Sequence, residues 1–138
     1  MKAAALALAL AFVAAPADKS KPSISVKASP TIAFSPARIV VTADIKGGPN
    51  DSEDFYCPSI EWDWGDGTIS NQTSDCEPYV AGKSEIKRHF TTYRVFDTSG
   101  DYRVEFKIKQ KDRTVAVGST MVKIRPGAGE IGIGGTGG

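Results

Sequence analysis

The sequence predicts an all-β chain folded as two antiparallel sheets packed face to face. Short β-prone segments recur between turn signals, and none carries a helical period. Several of them alternate apolar and polar residues, so each has one apolar face. A single sheet would leave those faces wet. Burying each large side chain contributes about 1.5–3 kcal/mol, which favours two packed sheets.

The first strand is expected over residues 23–28, with Ile24, Val26 and Ala28 on one face. Pro30 and Pro36 bracket a short segment holding Ile32 and Phe34. Residues 38–45 form the next strand, with Ile39, Val41, Ala43 and Ile45 in phase, and Gly47-Gly48-Pro49-Asn50-Asp51 ends it. An acidic loop over 51–54 leads to Phe55, Tyr56 and Cys57 before Pro58 interrupts. Residues 59–64 then place Ile60, Trp62 and Trp64 on one face and Glu61 and Asp63 on the other, and Gly65-Asp66-Gly67 turns the chain.

Residues 68–80 are polar, carry Cys76 and Pro78, and give no clear element. Residues 84–96 include a β-prone stretch ending in Tyr93, Val95 and Phe96. After the turn Ser99-Gly100-Asp101, Tyr102, Val104, Phe106 and Ile108 alternate with Arg103, Glu105, Lys107 and Lys109. Lys111-Asp112 turns the chain into a final strand over 113–124. Its apolar residues change phase between Val117 and Val122, which a bulge near Gly118 would reconcile.

The ends differ from this body. Met1 and Lys2 precede an apolar run from Ala3 to Ala15, and Ala15-Pro16-Ala17 supplies small residues for cleavage, so residues 1–17 read as a secretory signal peptide. The run is short for a bilayer span, so no membrane span is expected after cleavage. Residues 18–21 are expected to be flexible, 22–125 to form the domain, and the Gly-rich segment 126–138 to be disordered. In an exported chain the even pair Cys57 and Cys76 predicts a disulfide, worth about 3 kcal/mol in the chain-entropy model. Two Cys and one His (His89) are poor material for a structural zinc site. Lys plus Arg number 17 and Asp plus Glu 16, and the basic residues are dispersed, so nucleic acid is not an expected partner.

Trp62-Asp63-Trp64-Gly65-Asp66-Gly67-Thr68 resembles the W-D-F-G-D-G-T signature of PKD domains, with Trp64 where Phe is common. Residues 35–43, Ser-Pro-Ala-Arg-Ile-Val-Val-Thr-Ala, resemble the family's S-P-x-x-V-x-F-x-A segment, with Val41 at the Phe position. Gly100-Asp101-Tyr102-Arg103-Val104-Glu105-Phe106 is similar to its G-x-Y-x-V-x-L segment. The three follow the family's order and cover residues 22–125. The H-x-Y or H-x-F that usually precedes the Gly is displaced: His89-Phe90 lie further upstream, so either the hairpin is longer or Tyr93 takes that place. The resemblance implies an immunoglobulin-like antiparallel β-sandwich of about seven strands, and a role in adhesion or binding. The segment around Cys57 and Cys76 is not general to the family.

The motif itself reads as structural: two core tryptophans, glycines for a tight turn, and Asp63 and Asp66 accepting backbone N–H bonds. Catalysis by Asp63 and Asp66 would need a cleft and one raised pKa, and nucleophilic catalysis would need a base beside a free Ser, Cys or Thr, so no enzyme is expected. Asp51, Glu53, Asp54, Asp63 and Asp66 are hard oxygen ligands. Their spacing lacks the EF-hand pattern, so no cofactor is expected and Ca²⁺ stands as the alternative. Asn71-Gln72-Thr73 fits the N-glycosylation sequon. Binding candidates are Asp51, Glu53 and Asp54, the 68–80 segment, and Tyr93. Tyr79, Phe90 and Tyr93 also offer an exposed aromatic patch or, as the commoner fate, core packing. The expected function is a secreted, non-enzymatic module that binds a protein or polysaccharide at the cell envelope or outside the cell. The alternative is a structural subunit or spacer of a surface assembly.

Overall fold

The computed structural model of the chain describes residues 21–130. The expected signal peptide (1–17) and the end of the Gly-rich segment (131–138) lie outside the described residues. Eight strands form among those described: β1 (Ser23–Ser29), β2 (Ile32–Phe34), β3 (Ala37–Lys46), β4 (Ser59–Asp63), β5 (Ile69–Gln72), β6 (His89–Phe96), β7 (Gly100–Gln110) and β8 (Arg113–Arg125). They build a three-stranded sheet in the order β1-β3-β6 and a five-stranded sheet in the order β2-β8-β7-β4-β5. One turn of 3₁₀ helix, Glu53–Phe55, lies in the acidic loop. No helix among the described residues is long and apolar enough to cross a membrane.

The alternation read from the sequence sets the faces. Ala37, Ile39, Val41, Ala43 and Ile45 of β3 are buried against Val104, Phe106 and Ile108 of β7 and Val122 and Ile124 of β8. Trp62 and Trp64 fill the space between the sheets.

The structure departs from the expectations in several details. The sandwich is not wholly antiparallel, because β2 pairs parallel with β8. The chain crosses from one sheet to the other between β1 and β2, so one N-terminal segment contributes a strand to each. The 68–80 segment contributes β5, which alternates too weakly to be read from its polar sequence.

The irregularity in β8 is at Val115, not Gly118. Ile108 faces Ala116 and Lys109 faces Thr114, so Val115 is the extra residue, while Gly118 stays in register opposite Phe106. Gly118 is needed for a different reason: a Cβ there would lie 2.7 Å from Ile24 Cγ2 and 2.9 Å from Val26 Cγ2. The missing side chain is what lets β1 close onto β8.

The expected domain ends at Arg125, but contacts continue to Glu130. The Ser35 hydroxyl bonds to the Glu130 carboxylate, and the Ser99 N–H donates to the same group at 2.6 Å. The Gly127 N–H donates to Ser35 Oγ at 3.0 Å, and Gly127 is so close to Ser35 that a Cβ would overlap its carbonyl. The turn over 126–130 therefore has a fixed seat that its composition hides.

Gly118→Ala is expected to cost about 1–3 kcal/mol, because Ile24 and Val26 are β-branched and cannot swing aside. The expected result is a lower denaturant midpoint with an unchanged m-value.

Candidate functional site

The motif turn is built outward from the core. Trp62 and Trp64, both buried, stack with ring centroids 5.9 Å apart, and Trp62 leans on Phe106 at 4.7 Å. The Trp64 indole N–H donates to Ser70 Oγ at 2.9 Å, and its backbone N–H donates to the Thr68 carbonyl at 3.1 Å. Both N–H donors of this buried residue are thus paired inside the hairpin. Gly65 follows at φ +77°, with Arg103 backbone so near that a Cβ would sit 2.6 Å from its carbonyl oxygen. Glycine is required there both for its conformation and for the close approach.

The two motif aspartates have separate tasks. Asp63 Oδ1 accepts the Gly65 N–H at 3.0 Å. Asp66 Oδ1 accepts the Thr68 N–H at 3.0 Å, and Asp66 Oδ2 accepts Arg94 Nη2 at 2.7 Å. Arg94 comes from β6 in the other sheet, and its guanidinium lies over the Trp64 ring, 5.5 Å from the centroid. Burial works against ionising Asp66, but the Thr68 hydroxyl, the Arg94 guanidinium and the Thr68 N–H together outweigh it and hold its pKa below the usual carboxylate range. This lowered pKa is the opposite of what a general acid needs.

Tyr93, offered as one place for the displaced aromatic, points outward and is 56% exposed. Phe96 is buried and packs on Tyr102 at 4.6 Å and Trp64 at 6.4 Å.

The acidic residues do not converge. Asp51 Oδ2 accepts the Gly82 N–H at 2.9 Å, Asp54 pairs with Arg113 at 2.9 Å, and Glu53 faces solvent. Asp63 and Asp66 are engaged at the motif turn. Among the described residues no three His, Cys, Asp or Glu side chains gather in a way that would hold a metal ion. The loop and Tyr93 also belong to different parts of the surface, one beside the β7–β8 turn and the other on the outer face of the three-stranded sheet.

Cys57 and Cys76 are joined, with Cα atoms 6.0 Å apart. Tyr hydroxyls support the cross-link: Tyr56 donates to the Glu77 carbonyl and Tyr79 to the Asp51 carbonyl, each at 2.5 Å, and their rings meet at 5.5 Å. The expected aromatic patch therefore splits three ways. Tyr79 packs on Tyr56, Phe90 is buried, and Tyr93 alone stays on the surface. Asn71 is exposed on the edge strand β5. His89 bonds Asp44 at 2.8 Å on the outer face of the three-stranded sheet.

Two polar contacts were not anticipated. Glu61, buried on the outer side of β4, lies between Lys109 at 3.2 Å and Lys107 at 3.3 Å. The bond from Lys109 lowers its pKa most; burial opposes, and Lys107 adds to the lowering. The Glu130 carboxylate is likewise lowered, first by the Ser35 hydroxyl and then by the Ser99 N–H.

No family model matches the sequence, and no curated protein matches it. Solved structures do match its fold. The PKD domain of an M14-like peptidase from a Thermoplasmatales archaeon is 19% identical, with a TM-score of 0.52 over 78% of this chain and 98% of that one. The CARDB domain of a Pyrococcus furiosus protein, in complex with di-metal ions, is 13% identical, with a TM-score of 0.53 over 82% of this chain and 100% of that one. A membrane-anchored protein of Corynebacterium diphtheriae is 13% identical, with a TM-score of 0.51 over 76% of this chain and 21% of that one. The fold is that of PKD-like and CARDB-like immunoglobulin-like domains.

Asp66→Asn keeps an acceptor for Thr68 and removes the charge facing Arg94; the expected loss is about 1–3 kcal/mol of stability. The pH dependence has a definite sign. Glu61, Asp66 and Glu130 all have lowered folded-state pKa values. Their contribution is complete above the unfolded carboxylate range, about 4, and is lost as pH falls through the lower folded values. The melting temperature should fall with acidification below about pH 4, and less steeply in Asp66→Asn. Reducing Cys57–Cys76 should separately remove about 3 kcal/mol, read as a lower midpoint in denaturant with reductant.

Proposed function

We propose that this chain is a secreted, non-enzymatic PKD-type module that binds a protein partner at the cell envelope or outside the cell, through the outer face of its three-stranded sheet. The observation that carries this reading is the row centred on Tyr93. Tyr93 faces Val40 across the β3–β6 ladder, and Val95 faces Arg38. Tyr93, Val40 and Val95 are all exposed, while the Arg38 guanidinium lies 4.1 Å above the Tyr93 ring. Tyr and Arg are the residues that most often dominate protein interfaces. A polysaccharide stacks on a free aromatic face, and here Arg38 occupies one, so the row favours a protein over a sugar.

Other features support the setting. The N-terminal segment reads as an export signal, and the disulfide belongs to an oxidising compartment. The motif carboxylates serve turn geometry and an ion pair rather than a reaction, and the single His is tied to Asp44.

The test compares wild type with Tyr93→Ser, each immobilised and exposed to envelope extract, with thermal melts confirming that both fold. A protein retained by wild type should be retained about 30-fold more weakly by the variant, the loss of one hot-spot residue. Equal retention by both, or retention of glycan alone, would refute the assignment.

A further inference from the structure

The open edge of the three-stranded sheet has a specific occupant. The sheet ends at β6, which pairs only with β3. At eight residues β6 is the longest of the four edge strands, and it has no Pro, Lys or bulge to block further pairing. The phase of its hydrogen bonds follows from one contact: the Ile45 N–H donates to the Arg88 carbonyl at 2.8 Å. Ile45 and Arg88 continue the register in which Asp44 faces His89, so they form a hydrogen-bonded pair. Such pairs recur at every second residue of an antiparallel ladder. Phe90, Thr92, Arg94 and Phe96 therefore turn their backbone groups towards β3, and His89, Thr91, Tyr93 and Val95 turn theirs to the open edge. Among the described residues no loop or side chain bonds the backbone groups of Thr91, Tyr93 or Val95.

We infer that this edge pairs with the same edge of a second copy, antiparallel about a twofold axis at Tyr93, joining two three-stranded sheets into one. The sequence is self-complementary in that register. Tyr93 meets the partner's Tyr93, Thr91 meets the partner's Val95, and Val95 meets the partner's Thr91, so donors and acceptors match in every pair. His89 faces the partner's Asp97 on both sides of the axis, an acceptor for an imidazole, and Arg94 faces the partner's Thr92. An axis at Arg94 would oppose two guanidinium groups, and an axis at Thr92 would lose the Tyr93 pair. The exposed Val40–Tyr93 row would run on into its copy, giving the interface cross-strand aromatic and β-branched contacts.

The test uses the full-length chain, expressed with its own N-terminal segment and with the disulfide formed, in sedimentation equilibrium. Wild type should sediment with the mass of a dimer. Thr91→Lys with Val95→Lys sets like charges opposite each other twice and should raise the dimer dissociation constant at least about 30-fold. Thr91→Lys with Val95→Glu sets opposite charges in the same places and should restore the dimer. Circular dichroism on both variants separates loss of pairing from loss of folding, and the folded Lys–Glu variant keeps the test open if the Lys–Lys variant unfolds. Three results would overturn the inference: a wild type that stays monomeric and leaves the edge to a foreign strand, a dimer that survives the paired lysines, or a Lys–Glu variant that folds but does not dimerise.

Discussion

The structure depends on placing two tryptophans, Trp62 and Trp64, from one short strand between the two sheets. Both rings are almost wholly buried, and Trp64 is the last core residue before the chain reverses. The reversal has to begin at once, and at Gly65 the backbone passes against that of Arg103 on the neighbouring strand. No residue with a Cβ fits there. Asp63 and Asp66 then take up the N–H groups that a turn this tight leaves without ladder partners. The motif is thus one solution to one steric problem, and both of its carboxylates take part in that solution.

The same logic orders the charges outside the core. Asp66 reaches across to Arg94, so the turn of one sheet is tied to a strand of the other, and the Arg94 guanidinium lies over the Trp64 ring. Glu61 is buried on the opposite face of the Trp62 strand and sits between Lys107 and Lys109 of β7. Glu130 closes the C-terminal turn onto Ser35 and Ser99. Each of these carboxylates joins segments far apart in the chain. They specify register and closure, while apolar burial supplies most of the stability.

Much of this was legible in the residues. Period-two alternation located the core faces of β3, β4 and β7, because both sheets bury one side and leave the other polar. The motif turn and the Cys57–Cys76 pair were legible because few chemistries suit those residue types. Long-range consequences were not. Glu61 looks like any outward residue until β4 is laid beside β7, which is when two lysines appear around it. Arg94 looks like one more polar residue of an alternating strand until β6 is set across from the motif turn, where Asp66 meets it. The seat of Glu130 lay behind a Gly-rich composition that argues for disorder. Gly118 interrupts a β-prone segment and so invites a bulge, but its constraint comes from Ile24 and Val26 on β1, which no local pattern reveals.

The four sheet edges explain why recognition would concentrate on one side of the molecule. β2 and β5 are short, which limits any pairing to a few residues. β1 packs its Ile24 and Val26 side chains onto β8 at Gly118, and it carries Lys27, a charge common on protected edges. Only β6 combines length, uninterrupted β-forming residues and exposed side chains on its outer face. Arg94 turns inward from this strand to meet Asp66, which leaves Tyr93 and Val95 as its outward chemistry. Strand alternation, which turns Arg94 towards the motif turn, also sets what the strand shows to solvent. An arginine facing outward from β6 would have added a second cation beside Arg38, and the inward pairing leaves Tyr93 and Val95 there with that single guanidinium.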